Sequence, residues 1–404
     1  MKKIIQNFSY VLLANIISAI SKFILMIVIT KILTIEELGQ YTLALAITAP
    51  IALLFNMKMR AYIISSDNIN FLTFKKLRNI SNVFSIMSII IISLLLYKDS
   101  FWIMLLVLII KILDMNGEFY QGWPNKEKLY KKPAKLMILR VLGSTILFIV
   151  IATITRSLFW SLYSQVFFQF LFLIIEKHKN LQITNVKIEK VGITKVKLLF
   201  LTIFPLGVAQ FLMSFASSIP KLLLDYSVNV EMVGIFSAIT YLITVMNLFM
   251  NSLNQALLPY MKKIFIEKRI LFFRTINMYS LIFSVFIGAL FFVFTTIFGE
   301  YLLTVLYNET FGKYNYLLQL CSIILIFNIS GWMYDSALLI TNRLKFQPVY
   351  LAISTLITVI VGVEIVPRYQ LLGACMTLIV FQFINTLLKA LYFNFKFKKI
   401  IKEG

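Results

Sequence analysis

Lys22 stands in SAISKFIL, in a run from about Phe8 to Ile29 that carries no other charge. A lysine at the centre of a membrane-length apolar helix costs about 2.5–3.5 kcal/mol on insertion scales. Such a cost is retained where a buried cation has work to do, and binding an anion in a low-dielectric cavity is the obvious work. Lys221, in SSIPKLLL, repeats the arrangement. Arg140, deep in the run 136–155, is a third candidate, and Arg60, nearer a membrane interface, a fourth. Snorkelling or a structural ion pair is the competing reading. For Lys221 the ion-pair partner would be Asp225 at i+4, whereas Lys22 has no acidic residue within its own run.

KILDMNGE sets Lys111, Asp114 and Glu118 on one helical face, at i, i+3 and i+7. A Lys111–Asp114 pair would leave Glu118 unpaired. Buried carboxylates carry protons or ligate Na⁺, so Asp114, Glu118, Lys111 and Asp225 are the ion-coupling candidates, with a static charge cluster as the alternative. Asn247, Asn251 and Asn254, at i, i+4 and i+7, form an amide stripe able to hydrogen-bond a polar ligand, and Gln165, Gln169 and Asn15 are further candidates. Interhelical amide bonds explain such residues equally well.

Phosphate-binding loops, metal-ligand clusters and nucleophile–base pairs are missing from the sequence. The chain therefore reads as a non-enzyme with no cofactor and no metal. Cys321 and Cys375 lie inside apolar runs and read as buried thiols, and His178, in a lysine-rich stretch, reads as solvated.

The elements that must position these residues are membrane helices. Of 404 residues 60% are hydrophobic, mean hydropathy is +0.88 and 14% are charged. Apolar runs of membrane length fall at 8–30, 39–62, 80–97, 101–121, 136–155, 157–175, 198–224, 233–258, 274–298, 314–340, 347–366 and 370–394. Twelve spans put both termini on one face. Lys2 and Lys3 precede a run too long for a cleaved leader, so the first run is expected to stay as a span.

The net charge of +22 is a topology signal. Twenty-seven lysines and arginines fall on the face shared with the N-terminus, against five (Lys31, Lys98, Arg156, Lys313 and Arg368) on the other. The positive-inside rule makes the first face cytoplasmic. Its partners are anionic membrane lipids and not nucleic acid.

The chain also repeats itself. SAISKFIL at 18–25 matches SSIPKLLL at 217–224, EELGQYTLA at 36–44 matches EMVGIFSAI at 231–239, and Glu118 corresponds to Asp335. Copies six spans apart share one orientation, an arrangement found in transporters. The expected organisation is an N-terminal six-helix lobe over 1–176, a linker over 177–197 and a C-terminal six-helix lobe over 198–404. The linker's TNVKIEKVGITKVK is either an amphipathic surface helix or a solvated connection.

The intramembrane lysine, ITKILTIEELGQYTLALAITAPI and FNMKMRAYIISSD together resemble the Wzx-type polysaccharide flippases of the MOP superfamily, over essentially the whole chain. The resemblance implies an all-α integral membrane protein of two parallel-repeated bundles around a cationic cavity, in the bacterial inner membrane. It implies an undecaprenyl-pyrophosphate-linked oligosaccharide as substrate, moved to the outer leaflet, with H⁺ or Na⁺ as coupling ion and a polysaccharide polymerase and other assembly proteins as partners. In that reading Lys22, Lys221, Arg140 and Arg60 hold the pyrophosphate, and Asn247, Asn251 and Asn254 face the sugars. The alternatives are an O-antigen polymerase, a drug or cation antiporter of the same superfamily, and a lipid II flippase.

Overall fold

Inside a bilayer every backbone N–H and C=O must bond within the protein, and apolar runs of this length satisfy that as helices. The computed structural model follows this rule: its described residues form helices and no strand. The structure describes residues 2–66, 70–184, 192–267, 270–341 and 346–403, without the side chains of 2–9, 248–249, 251–256, 259, 270–278 and 396–403.

The chain divides into two compact units, Met1–Phe215 and Ala216–Gly404. The first holds α1 (Lys2–Ile32), α2 (Ile35–Asn56), α3 (Met59–Ser65), α4 (Phe71–Leu96), α5 (Phe101–Lys126), α6 (Lys131–Thr155) and α7 (Leu158–Gln182). The division falls within α8 (Ile193–Ser227). The second unit continues with α9 (Val230–Ile266), α10 (Ile270–Leu306), α11 (Glu309–Gly312), α12 (Asn315–Ile340) and α13 (Gln347–Glu403). In the first unit α5 packs on α2, α4 and α7, and α6 on α1 and α7; in the second, α12 packs on α9, α10 and α13.

Among the described residues eleven helical stretches are long and apolar enough to cross a membrane. The last, Gln347–Phe395, has 49 residues, about twice what one crossing needs. It breaks at Gln370, where φ is 48° and ψ −121°. Phe346 stacks against Tyr392 with ring centroids 5.1 Å apart, and Lys389 Nζ sits 5.8 Å from the Tyr350 ring centroid. Nearer the break, a Cβ added at Gly362 would lie 3.0 Å from Thr377 Cγ2. Contacts between residues so far apart in one stretch mean that α13 doubles back at Gln370. Counted as two limbs, it brings the candidate crossings among the described residues to twelve.

The repeated EELGQYTLA-like motif is a helix start. Thr34 caps α2 in a reciprocal capping box with Glu37, and Asn229 caps α9 by accepting from Met232 N at 2.9 Å. Glu37 also accepts from Leu158 N at 2.9 Å, tying the start of α7 to that of α2.

The second span is not the continuous helix expected over 39–62. Met57 and Lys58 both take φ 49°, in the left-handed region, and split it into α2 and α3. Such a break in non-glycine residues needs support from outside the helix. Gln210 Oε1 accepts from Lys58 N at 3.2 Å, and Met57 and Met59 are buried against Leu77, Val196 and Ile203. Val196 belongs to the stretch expected to be an amphipathic linker. The rest of that expectation, over 185–191, lies outside the described residues.

Candidate functional site

The densest cluster of buried charge joins three neighbouring helices of the first unit. Arg140 of α6, 2% exposed, donates through Nη1 to Asp114 Oδ1 of α5 at 2.7 Å. Its Nε lies 3.2 Å from Oε2 of Glu176 on α7, which is fully buried. Gln121, two turns along α5 from Asp114, donates to Glu176 Oε1 at 2.8 Å. Gly117 makes room for this: a Cβ there would stand 2.9 Å from both Arg140 Cζ and Glu176 Oε2. The guanidinium thus lies directly on the α5 backbone. A buried cation gains most when its carboxylates are this close and water is excluded.

Two sequence expectations change here. Asp114 pairs with Arg140 across helices, where the sequence suggested Lys111 on its own helix. Arg140, expected to meet substrate phosphate, already faces two carboxylates. Glu176, the last residue of the expected N-terminal lobe and not among the candidates read from the sequence, is buried in the unit; its sequence signal is an acidic residue ending an apolar run.

Arg78, one of the twenty-seven cations on the face shared with the N-terminus, is 3% exposed. It donates to Asn116 Oδ1 at 2.7 Å through Nε and to Asn56 Oδ1 at 3.0 Å through Nη1, joining α4 to α5 and α2. Glu118 is within electrostatic reach of Arg78 but makes no hydrogen bond or ion pair among the described residues. Arg60 of α3 is half-buried beside a small pocket that it shares with Gln121, Asn125 and Tyr130.

Lys22 is exposed on α1, on the same face as Asn15, and makes no hydrogen bond or ion pair among the described residues. Lys221, half-buried on α8, is likewise without such a partner. The i+4 spacing to Asp225 permits an ion pair, but the two side chains do not form one. Among the described residues, Lys22 in the first unit and Lys221 in the second thus each present a cation with no protein counter-ion.

The second unit has its own buried pair. Lys389 on the second limb of α13 donates to Asp335 Oδ2 on α12 at 2.8 Å. Asn247 accepts from Asn328 Nδ2 at 3.3 Å, an interhelical amide bond of the kind weighed against sugar contact. The side chains of Asn251 and Asn254 lie outside the described residues. Gln165 and Gln169, 6% and 3% exposed, face the interior of their own unit. Cys321 and Cys375 are free and buried.

Residues 4–265 match the family described as polysaccharide biosynthesis protein. The chain belongs to that family. The capsular polysaccharide biosynthesis protein CapF of Staphylococcus aureus is 28% identical to this polysaccharide biosynthesis family member over 382 residues, covering 94% of this chain and 96% of CapF. Among solved structures, the lipid II flippase MurJ in an inward closed conformation aligns with a TM-score of 0.72 at 12% identity, covering 94% of this chain and 86% of MurJ. An outward-facing multidrug resistance MATE transporter of the MOP superfamily aligns with a TM-score of 0.65 at 13% identity, covering 98% and 96% of the two chains. The fold is that of the MOP superfamily, and the family member is a multi-pass membrane protein.

Proposed function

We propose that this protein is a flippase that carries undecaprenyl-pyrophosphate-linked oligosaccharide units from the cytoplasmic to the outer leaflet of the bacterial inner membrane, by alternating access. The observation that carries the reading is the pair Lys22 and Lys221: two lysines in membrane helices, each without an ion-pair partner among the described residues. An unpaired cation in a span is expensive, and a pyrophosphate supplies the missing counter-charge. Membership of a polysaccharide biosynthesis family on a MOP fold supports the same substrate class. Both termini are cytoplasmic in this reading, because the lysine-rich face holds them.

The sugar end of the substrate meets amides and exposed polar groups, with Asn15, on the face of Lys22, added to Asn247, Asn251 and Asn254. Transport is driven by an ion gradient through the α5 carboxylates Asp114 and Glu118. The protein performs no bond chemistry itself; a polymerase consumes the delivered units.

Depletion of the protein tests this. Lipid-linked oligosaccharide should accumulate on the inner leaflet while its synthesis continues. Complete units on the outer leaflet without polymer would identify a polymerase, and export of organic cations without any effect on the lipid-linked pool would identify an antiporter.

A further inference from the structure

The stretch expected to be a linker ends as one wall of an apolar groove in the first unit. Ile193, Val196, Lys197 and Phe200 fall at i, i+3, i+4 and i+7 along the start of α8 and share one helical face. Leu77, Ile80 and Phe84 of α4 form the other wall, at i, i+3 and i+7. The groove has a volume of about 390 Å³. Leu77 and Val196, 2% and 3% exposed, make its floor, while Ile80, Phe84 and Ile193 stand exposed at its rim. Phe55 of α2 stacks on Phe84 with ring centroids 6.1 Å apart, bringing a third helix into the lining.

This lining selects hydrocarbon. Apart from Lys197 and the buried Ser81 it holds no polar residue, and an apolar concavity of this size suits an apolar ligand. A methylene fills about the space of a water, roughly 30 Å³, so the groove has room for about a dozen methylenes. That is most of one acyl chain, and only a fraction of an undecaprenyl tail.

Lys197 decides the headgroup. It is exposed and makes no hydrogen bond or ion pair among the described residues. Lys76, one turn before Ile80, continues the α4 wall toward the lysine-rich face where both helices begin. Lysines at that face attract anionic lipid, and a lysine reaches headgroup level while its stem stays on hydrocarbon.

The groove also borders the break in the second span. Met57 and Met59, on either side of Lys58, are buried against Leu77 and Val196, the two floor residues. A chain seated on that floor adds dispersion contacts to the packing that supports left-handed backbone in non-glycine residues.

We propose that this groove holds one acyl chain of an anionic phospholipid of the cytoplasmic leaflet, with Lys197 on its phosphate, and that the seated lipid buttresses the break at Met57 and Lys58. Only the choice of leaflet rests on the orientation proposed above.

The test uses full-length protein in detergent, with phosphatidylglycerol and phosphatidylethanolamine of identical acyl chains. Phosphatidylglycerol should raise the thermal midpoint by several degrees more than phosphatidylethanolamine. Lys197→Gln should abolish that difference, and Lys195→Gln, at an exposed lysine outside the lining, should keep it. Phosphatidylglycerol with a photoactivatable group in one acyl chain should label the peptides that carry Phe84 and Phe200. Ile80→Trp, which fills the groove from its rim, should cut that labelling several-fold. Excess unlabelled phosphatidylglycerol should do the same on the wild type, a readout that needs no variant to fold. Equal stabilisation by the two lipids, loss of the difference in Lys195→Gln, or labelling of α10 as strong as that of α4 and α8 overturns the assignment, since lipid would then only coat the surface. Displacement of the label by undecaprenyl phosphate but not by phosphatidylglycerol would give the groove to the substrate's tail and overturn it too. Specific phosphatidylglycerol binding by a protein that moves no lipid-linked oligosaccharide would reject the flippase reading and leave this site standing.

Discussion

Lys389 reaches across 2.8 Å to Asp335 and ties the last limb of α13 to α12 inside the second unit. Counted by crossings, these are the sixth and fourth spans of that unit, and Glu176 and Asp114, bridged by Arg140, occupy the sixth and fourth spans of the first. Both units thus fasten the same pair of spans with buried charge, using different residues. In each unit the cation and its acids come from different helices, so the pairs hold helices in register and do not merely stabilise one.

Breaking the second-unit pair should be costly. Lys389 is 4% exposed and Asp335 27%, and removing one partner of a buried pair costs about 3–5 kcal/mol. Lys389→Met should lower the thermal midpoint of the detergent-solubilised protein, and adding Asp335→Asn should recover much of the loss. A single mutant as stable as the parent would show that the pair has no fastening role.

Gly117→Ala tests the first-unit counterpart. The new methyl would stand 2.9 Å from the Arg140 guanidinium, and overpacking of this kind costs about 1–3 kcal/mol. Reduced stability is expected, with α5 and α6 becoming accessible to proteolysis first. Unchanged stability would mean that Arg140 has another place to go.

Arg78→Lys should fail as a conservative change. One ammonium cannot reproduce the two directed bonds that the guanidinium makes to Asn116 and Asn56. Leaving one buried amide oxygen unpaired costs about 1–3 kcal/mol, measurable as lost abundance of folded protein by fluorescence size exclusion. Arg78→Lys at parental abundance would indicate a merely electrostatic role.

Lys22→Gln and Lys221→Gln should each cut transport sharply per molecule of inserted protein without lowering abundance, since an expensive group is removed from a span. Lys→Arg at either position should retain more transport than Lys→Gln, because charge is the requirement. Adding Asp225→Asn to Lys221→Gln should not restore transport, as the two do not pair. Normal transport by both single glutamine variants would remove the pyrophosphate role.

Orientation can be checked with reporter tags. Tags after Tyr130 and at the C-terminus should report cytoplasm, and one at Asn308 the exterior. All three on one side would reject the twelve-crossing topology.

The spans and helix starts were legible from the sequence because they depend on local physics. Apolar length fixes a crossing, and Thr34 with Glu37 makes a cap whichever helices surround it. Even the turn at Gln370 lies where the apolar runs 347–366 and 370–394 meet. The break at Met57 and Lys58 was not legible, since it is held by Gln210 and by apolar side chains more than a hundred residues away. Charge was legible only as to cost. The sequence marks Lys22, Lys221, Arg140 and Asp114 as expensive in a membrane, but each expense can be met by a ligand or by another helix. That choice depends on which faces of which helices meet, and helical periodicity carries no such information. Packing of α5, α6 and α7 assigned Arg140 to Asp114 and Glu176, and packing of α4 on α2 and α5 gave Arg78 two asparagines, while Lys22 and Lys221 have no ion-pair partner among the described residues.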